Sequence, residues 1–302
     1  MTHRRAVATM VLATLLWSIA GVVTRQLDAA KTFEVTFWRS AFNALALVVL
    51  LGWLRGPAVL VASLRGGGRV MWLSGLCWSV MFTAFMVAIT LTTVANVLVT
   101  MAVSPLIAAL AARLWLGHRL PPRTWGAIVA AGVGIAWMYG SEVHGAGARH
   151  VLGVAVALAV PVAAAVNWTL IQSLRSPRRS APAPDMLPAV LIGATLSALA
   201  TLPLAWPFEA GGRDVAWLAL LGVAQLAVPC LLAVSAARVL SAPEVSLLAL
   251  LEVIFGVAWA WLGGGETPSP AVLGGGALVL VALVANELLG VRRAMGPQAA
   301  RR

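Results

Sequence analysis

Ionisable side chains are scarce inside the apolar stretches of this chain, and two stand out. Glu252 lies near the centre of one stretch, 242–262, and Arg39 lies a short way into another, 33–54. An intramembrane carboxyl is expensive and by default functional. At Glu252 it can bind an ammonium group, carry a proton, or serve as a structural carboxyl bonded to a neighbouring helix. Arg39 is near enough to the end of its stretch to snorkel outward, and a structural ion pair is expected of it rather than substrate contact. Glu244, nearer a boundary, is expected to be solvated. The remaining side chains that could recognise a solute are Trp17, Trp78, Phe82, Met101, Ser104, Asn167, Trp168, Gln225 and Ser246. Aromatic rings and a flexible thioether suit an apolar ligand, and the amides and hydroxyls can orient it. Helix packing is the alternative role for Trp17 and Trp168. For Thr14, Ser18, Ser79 and Thr83 the alternative is a hydroxyl bonded to its own or a neighbouring helix.

The same inventory excludes other chemistry. His3, His118, His144 and His150 all lie in tails or loops, and no metal or phosphate-loop spacing occurs. Without a nucleophile and base, or a metal cluster, an intramembrane enzyme is not supported, and no cofactor is expected. Cys77 and Cys230 make no CxxC pair, so neither is given a redox role. Apart from Arg39 no Lys or Arg lies in an apolar interior, so a multiply anionic cargo would lack a cationic clamp. A neutral, zwitterionic or cationic organic molecule fits better, and a carboxylate on it would be met by backbone amides at a broken helix.

The elements that carry these residues follow from composition. Of 302 residues, 61% are hydrophobic and 10% charged, against roughly 25% charge in a soluble domain. Apolar segments of about 20 residues, enough to cross a bilayer, recur near 4–24, 33–54, 70–90, 93–115, 122–140, 150–173, 185–206, 214–236, 242–262 and 270–289. In lipid such segments must be helices. The expected fold is therefore an all-α membrane protein of ten transmembrane helices. The first segment, behind Arg4 and Arg5, is long enough to span and is read as a helix rather than as a cleaved leader. Pro105, Pro161 and Pro229 fall inside apolar segments, where each removes a backbone donor and tends to kink the helix.

The formal net charge of +11 orients the chain rather than marking nucleic-acid binding. Sixteen Lys and Arg fall in alternate loops and tails and four, Arg25, Lys31, Arg149 and Arg213, in the others. The positive-inside rule then places both termini in the cytoplasm, and the basic loops face anionic lipid.

The chain is also doubled. Val97 falls on Val245, Leu114 on Leu262, Gly117 on Gly265, Pro122 on Pro270 and Gly126 on Gly274, all at an offset of 148 residues. The copies are expected at 1–148 and 149–302 within one membrane domain. Five spans each is an odd number, so the second copy starts on the opposite side and the repeats are inverted, an arrangement that lets one site open to either face. Gly126, Ala130 and Gly134 in the fifth span and Gly274, Gly275 and Gly276 in the tenth are expected to serve close helix contact or a dimer seam.

Ser104-Pro105, Leu116-Gly117-His118-Arg119 and Pro122 to Gly126 in the first copy resemble the EamA-type repeat of the drug/metabolite transporter superfamily. So do Leu251-Glu252-Val253, Gly265-Glu266-Thr267 and Pro270 to Gly274 in the second. That family usually carries Glu-Pro in the fourth helix of a repeat and Gly-Glu in the following loop, and each copy here keeps part of each signature. The stretch Phe37-Trp38-Arg39-Ser40 is similar to the YddG-type exporters of aromatic and other apolar amino acids. The resemblance implies a multi-pass transporter in the plasma or inner membrane, a monomer or weak homodimer that exports small organic solutes. Aromatic and apolar amino acids are the leading cargo; cationic or amphipathic drugs are the alternative.

Overall fold

The structure, a computed structural model, describes residues 1–24, 26–29, 32–92, 94–117, 120–140, 147–174, 184–264 and 269–299. Several sequence-predicted features lie outside these residues: His118, Arg119 and His144, the Gly265-Glu266-Thr267 motif, and the loop and tail cations Arg25, Lys31, Arg175, Arg178, Arg179, Arg301 and Arg302.

Among the described residues the regular structure is helical and no strand occurs, as backbone groups without water require. The helices are α1 (His3–Trp17), α2 (Ala20–Thr24), α3 (Thr32–Arg55), α4 (Pro57–Gly66), α5 (Gly68–Leu91), α6 (Val94–Met101), α7 (Ser104–Leu116), α8 (Pro122–Tyr139) and α9 (Ala148–Ser173). They continue with α10 (Leu187–Ala205), α11 (Gly212–Leu220), a π-helix (Leu221–Ala227), α12 (Val228–Ala237), α13 (Ala242–Ala249), α14 (Leu251–Gly264) and α15 (Pro270–Ala299).

Among the described residues seven stretches are long and apolar enough to cross a membrane: His3–Thr24, Phe33–Arg55, Gly68–Leu91, Val151–Ser173, Leu187–Ala205, Gly212–Ala237 and Ala242–Trp259. The stretch expected to span 93–115 is divided at Ala102 and Val103 into α6 and α7. That at 122–140 forms α8, and that at 270–289 forms the apolar start of α15.

The protein is apolar outside and holds its polar groups inside. Leu45, Val49, Leu114, Val151, Leu199 and Leu262 are exposed, while Glu34, Arg39, Asn43, Asn167 and Gln225 are buried. The tryptophans divide in the same way. Trp53, Trp72, Trp115, Trp137 and Trp206 are exposed and sit close to helix ends, where an aromatic belt meets the membrane interface. Trp78, in the middle of α5, and Trp168, in α9, are buried.

Helix packing has an exchange symmetry. α5 packs on α9 as α12 packs on α1; α10 packs on α5 as α3 packs on the π-helix; α6 and α7 pack on α9 as α13 and α14 pack on α1. The pairs α3 with α10 and α8 with α15 map onto themselves. These contacts recur when the two copies trade places, which is the packing expected of a pseudo-two-fold axis. Glycines make the closest of these approaches. A Cβ at Gly134 would meet Gly275 O at 2.7 Å, one at Gly193 would meet Gly75 O at 2.8 Å, and one at Gly222 would meet Arg39 O at 2.8 Å. Gly134 and Gly275 therefore serve contact within the chain, whereas a Cβ at Gly126 would meet nothing within 4 Å.

Candidate functional site

The first cluster joins the middle of α5 to α9. Trp78 stacks at a tilt on Phe82, centroids 5.5 Å apart, and meets Trp168 edge-on at 5.4 Å. Such pairs are worth about 0.5–1.5 kcal/mol each beyond their buried area. One turn away Ser74 Oγ donates to Asn167 Oδ1 at 2.5 Å. The indole Nε1 of Trp78 and the Nδ2 of Asn167 are buried without a partner. Four of the expected residues or their neighbours on the same turns thus come together, and they keep donor capacity unspent. Pro161 sits in α9 without breaking it.

The second cluster joins α1, α3 and the π-helix. Gln225 Nε2 donates to the Trp17 carbonyl at 3.2 Å, and Gln225 Oε1 accepts from Arg39 Nη2 at 3.0 Å. Local backbone irregularity puts these atoms in reach. α1 stops at Trp17 and the chain restarts as α2 at Ala20, leaving the Trp17 carbonyl available. Pro229 lacks the N–H that an α-helix would direct to residue 225, and the ladder ahead of it relaxes to π geometry, with Val228 N bonded to Val223 O. π-turns inside α-helices are frequent at functional sites. The copies also change register here. Gly75 and Gly222 make equivalent close contacts 147 residues apart, while Val97 and Val245 are 148 apart. The one-residue difference arises between these pairs, in the stretch that holds the π-helix.

Arg39 departs from expectation. It does not snorkel: it is buried, with Nη1 on Met86 Sδ at 2.7 Å and Nη2 on Gln225. No described carboxylate lies within salt-bridge distance of it, so the expected ion pair is absent. The close approach of Gly222 to the backbone of Arg39 and Asn43 draws α3 against the π-helix and leaves the guanidinium no route to the surface.

The helix breaks in the fourth and ninth expected spans coincide under the 148-residue shift. α6 gives way to α7 at Ala102 and Val103, and α13 gives way to α14 at Leu250. Ser104 and Glu252 therefore occupy equivalent places in the first turn of a half-helix, Ser104 buried and Glu252 partly exposed. Pro105 opens α7 rather than kinking a continuous helix. Ser246 is buried in α13 with its hydroxyl unpartnered. Met101 packs instead with Ala88, Val97 and Ala157, in a cluster separate from Trp78. Glu244 accepts from Ser241 N at 2.7 Å and Ser241 Oγ at 2.8 Å, so its role is to cap α13.

Sequence reasoning missed several groups. Ser197 lies 2.9 Å from both Ser40 and Thr83, tying α10 to α3 and α5 through hydroxyls. Asn43 is fully buried with both amide atoms unpartnered. Its spacing of four from Arg39 on one helix was the available signal. Both ends of the seam between the copies are laced by carboxylates. Glu34 accepts from Glu209 N and Ala210 N, and Asp214 accepts from Asp28 N and Ala29 N. At the other end Asp185 pairs with Arg55 at 3.2 Å and with Arg238. None of these contacts is local in sequence, so periodicity carries no trace of them.

A solved structure titled "Crystal structure of protein" matches with a TM-score of 0.76 and 20% identity, over 96% of this chain and 99% of that one. At that identity the likeness establishes the fold. No curated protein sequence matches. The EamA-like transporter family matches twice, over residues 4–140 and 151–286, and these two stretches are the two packed copies. A multi-pass, doubled chain whose polar groups meet between its copies has the build of a carrier, and the chain belongs to the EamA-like transporter family.

Proposed function

We propose that the protein exports aromatic and other apolar amino acids across the plasma or inner membrane by alternating access of two inverted five-helix repeats, 1–148 and 149–302. The observation that carries this reading is the symmetric pair of clusters: Trp78, Phe82 and Trp168 on one side, Trp17 and Gln225 on the other. They lie on helix pairs that exchange under the pseudo-two-fold, α5 with α9, and the π-helix and α12 with α1. Rings supply an apolar wall, while unpartnered indole, amide and hydroxyl groups at Trp78, Asn167 and Ser246 supply directed bonds. Broken helices at 102–103 and 250 add half-helix termini, the usual place for a polar ligand in a transporter.

Ten crossings are completed by joining α6 to α7 and by counting α8 and α15. With ten crossings and the basic loops inside, both termini are cytoplasmic. Ser104 and Glu252, at equivalent half-helix termini, complete the binding set, with Glu252 receiving an ammonium group. Met101, on its separate cluster, shapes the path rather than the central contact.

The reading is tested with purified protein in liposomes, offered Trp, Phe, Leu and Met against empty vesicles, with and without a pH gradient. Saturable flux of all four is expected. Failure of the four alongside transport of another solute refutes the substrate class, and an unchanged plateau under the gradient removes Glu252 as a proton carrier.

A further inference from the structure

We infer that Arg39 is the carboxylate anchor for the transported amino acid, and that Arg39 and Glu252 together hold the two charged ends of a zwitterion. The inference rests on the amino-acid reading above and deepens it. A guanidinium stays charged at neutral pH, and burying an uncompensated ion costs several kcal/mol. Arg39 is buried, yet its partners are a neutral amide and a thioether, a weak acceptor; its Nε has none. One turn along α3, Asn43 leaves Nδ2 and Oδ1 unpartnered as well. This polar surplus lacks one species: an anion.

The protein's own candidate does not fill the place. Glu252 lies beyond salt-bridge distance of Arg39 and is partly exposed. The two opposite charges, on elements of different copies, are thus left apart rather than closed into a pair. A free carboxylate can take the guanidinium in a bidentate bond, displacing the thioether, while its α-ammonium meets Glu252. A multiply charged anion would overfill one guanidinium, and a simple amine would leave it bare. The arrangement selects a molecule with one charge of each sign, and the side chain is then free to reach the Trp78, Phe82 and Trp168 rings.

The test compares inhibition of L-phenylalanine counterflow in proteoliposomes by 3-phenylpropionate, which keeps the carboxylate, and by phenethylamine, which lacks it. Wild type is expected to be inhibited by both, since each analogue keeps one of the two charged ends. Gln225→Glu gives Arg39 a resident counter-ion. It is expected to melt no lower than wild type yet to raise the KM for phenylalanine at least ~30-fold, with inhibition by 3-phenylpropionate lost. A purely structural Arg39 would be satisfied by Gln225→Glu without that change. Arg39→Lys keeps the charge but loses the fork, and is expected to raise KM with little change in maximal flux. No inhibition of wild type by 3-phenylpropionate, or a Gln225→Glu KM within twofold of wild type, overturns the inference alone. Absence of amino-acid flux in wild type overturns the amino-acid reading and this inference together.

Discussion

Gly193→Ala tests whether the closest interhelical approach also positions the aromatic cluster. A Cβ at residue 193 would stand 2.3 Å from Trp78 Cβ, 2.8 Å from Gly75 O and 3.0 Å from Ser79 N. Carbon atoms ordinarily rest about 3.5–4.0 Å apart. Two of the three obstacles are backbone, so α5 and α10 must separate by about 1 Å. Overpacking of this kind costs about 1–3 kcal/mol, and displacing Trp78 from Trp168 forfeits part of a contact worth about 0.5–1.5 kcal/mol. A total near 2–4 kcal/mol lowers the melting temperature of the detergent-purified protein by roughly 5–15 °C. The KM for phenylalanine rises with it. Gly275→Ala is the first control: its Cβ would meet Gly134 O at 2.4 Å, but between α8 and α15, away from the rings. It is expected to lose stability and keep KM. Gly126→Ala is the second, meeting nothing within 4 Å and gaining up to about 1 kcal/mol of helix propensity. A Gly193→Ala protein that melts with wild type would refute the packing argument. One that melts early with an unchanged KM would separate Trp78 from substrate contact.

Gln225→Ala removes the amide acceptor from Arg39, a hydrogen bond to a charged group worth about 1.5–3 kcal/mol; a melting temperature several degrees lower is expected in thermal denaturation, and no change would show that Arg39 has another acceptor. Pro229→Ala restores the missing N–H and is expected to favour α over π geometry, turning Gln225 away from the Trp17 carbonyl and lowering transport; backbone amide exchange at 221–227 reads the first effect and counterflow the second. Asp185→Ala cuts partly exposed pairs to Arg55 and Arg238, each worth about 0–1 kcal/mol. The expected loss of a few degrees at low salt should shrink in high salt, and a salt-independent loss would assign Asp185 a packing role instead.

The doubled, helical, membrane-spanning character was legible because lipid leaves the backbone few alternatives and because the offset of 148 survives at Val97, Leu114 and Pro122. The pairing of Ser104 with Glu252 was legible for the same reason, and the breaks at 102–103 and 250 fall where that offset puts them. Trp78 with Trp168 and Trp17 with Gln225 were predicted as candidates by residue type and depth; which of them touch is a matter of helix packing between copies, to which spacing along one helix is blind. Arg39 was misread because distance to a helix end says nothing about a neighbour: Gly222 lets the π-helix cover it. Gly126 meets nothing within the chain for the converse reason, since a small residue allows close contact without supplying a partner.

The central claim is that solute binds between the copies, against the paired rings. Counterflow of L-phenylalanine in proteoliposomes tests it most directly when wild type is compared with Trp168→Ala and with Val151→Ala, an exposed position on the same helix. The account predicts saturable flux in wild type, a KM raised about 10-fold or more in Trp168→Ala, and an unchanged KM in Val151→Ala. No flux above empty vesicles, or the same KM in all three proteins, would contradict it.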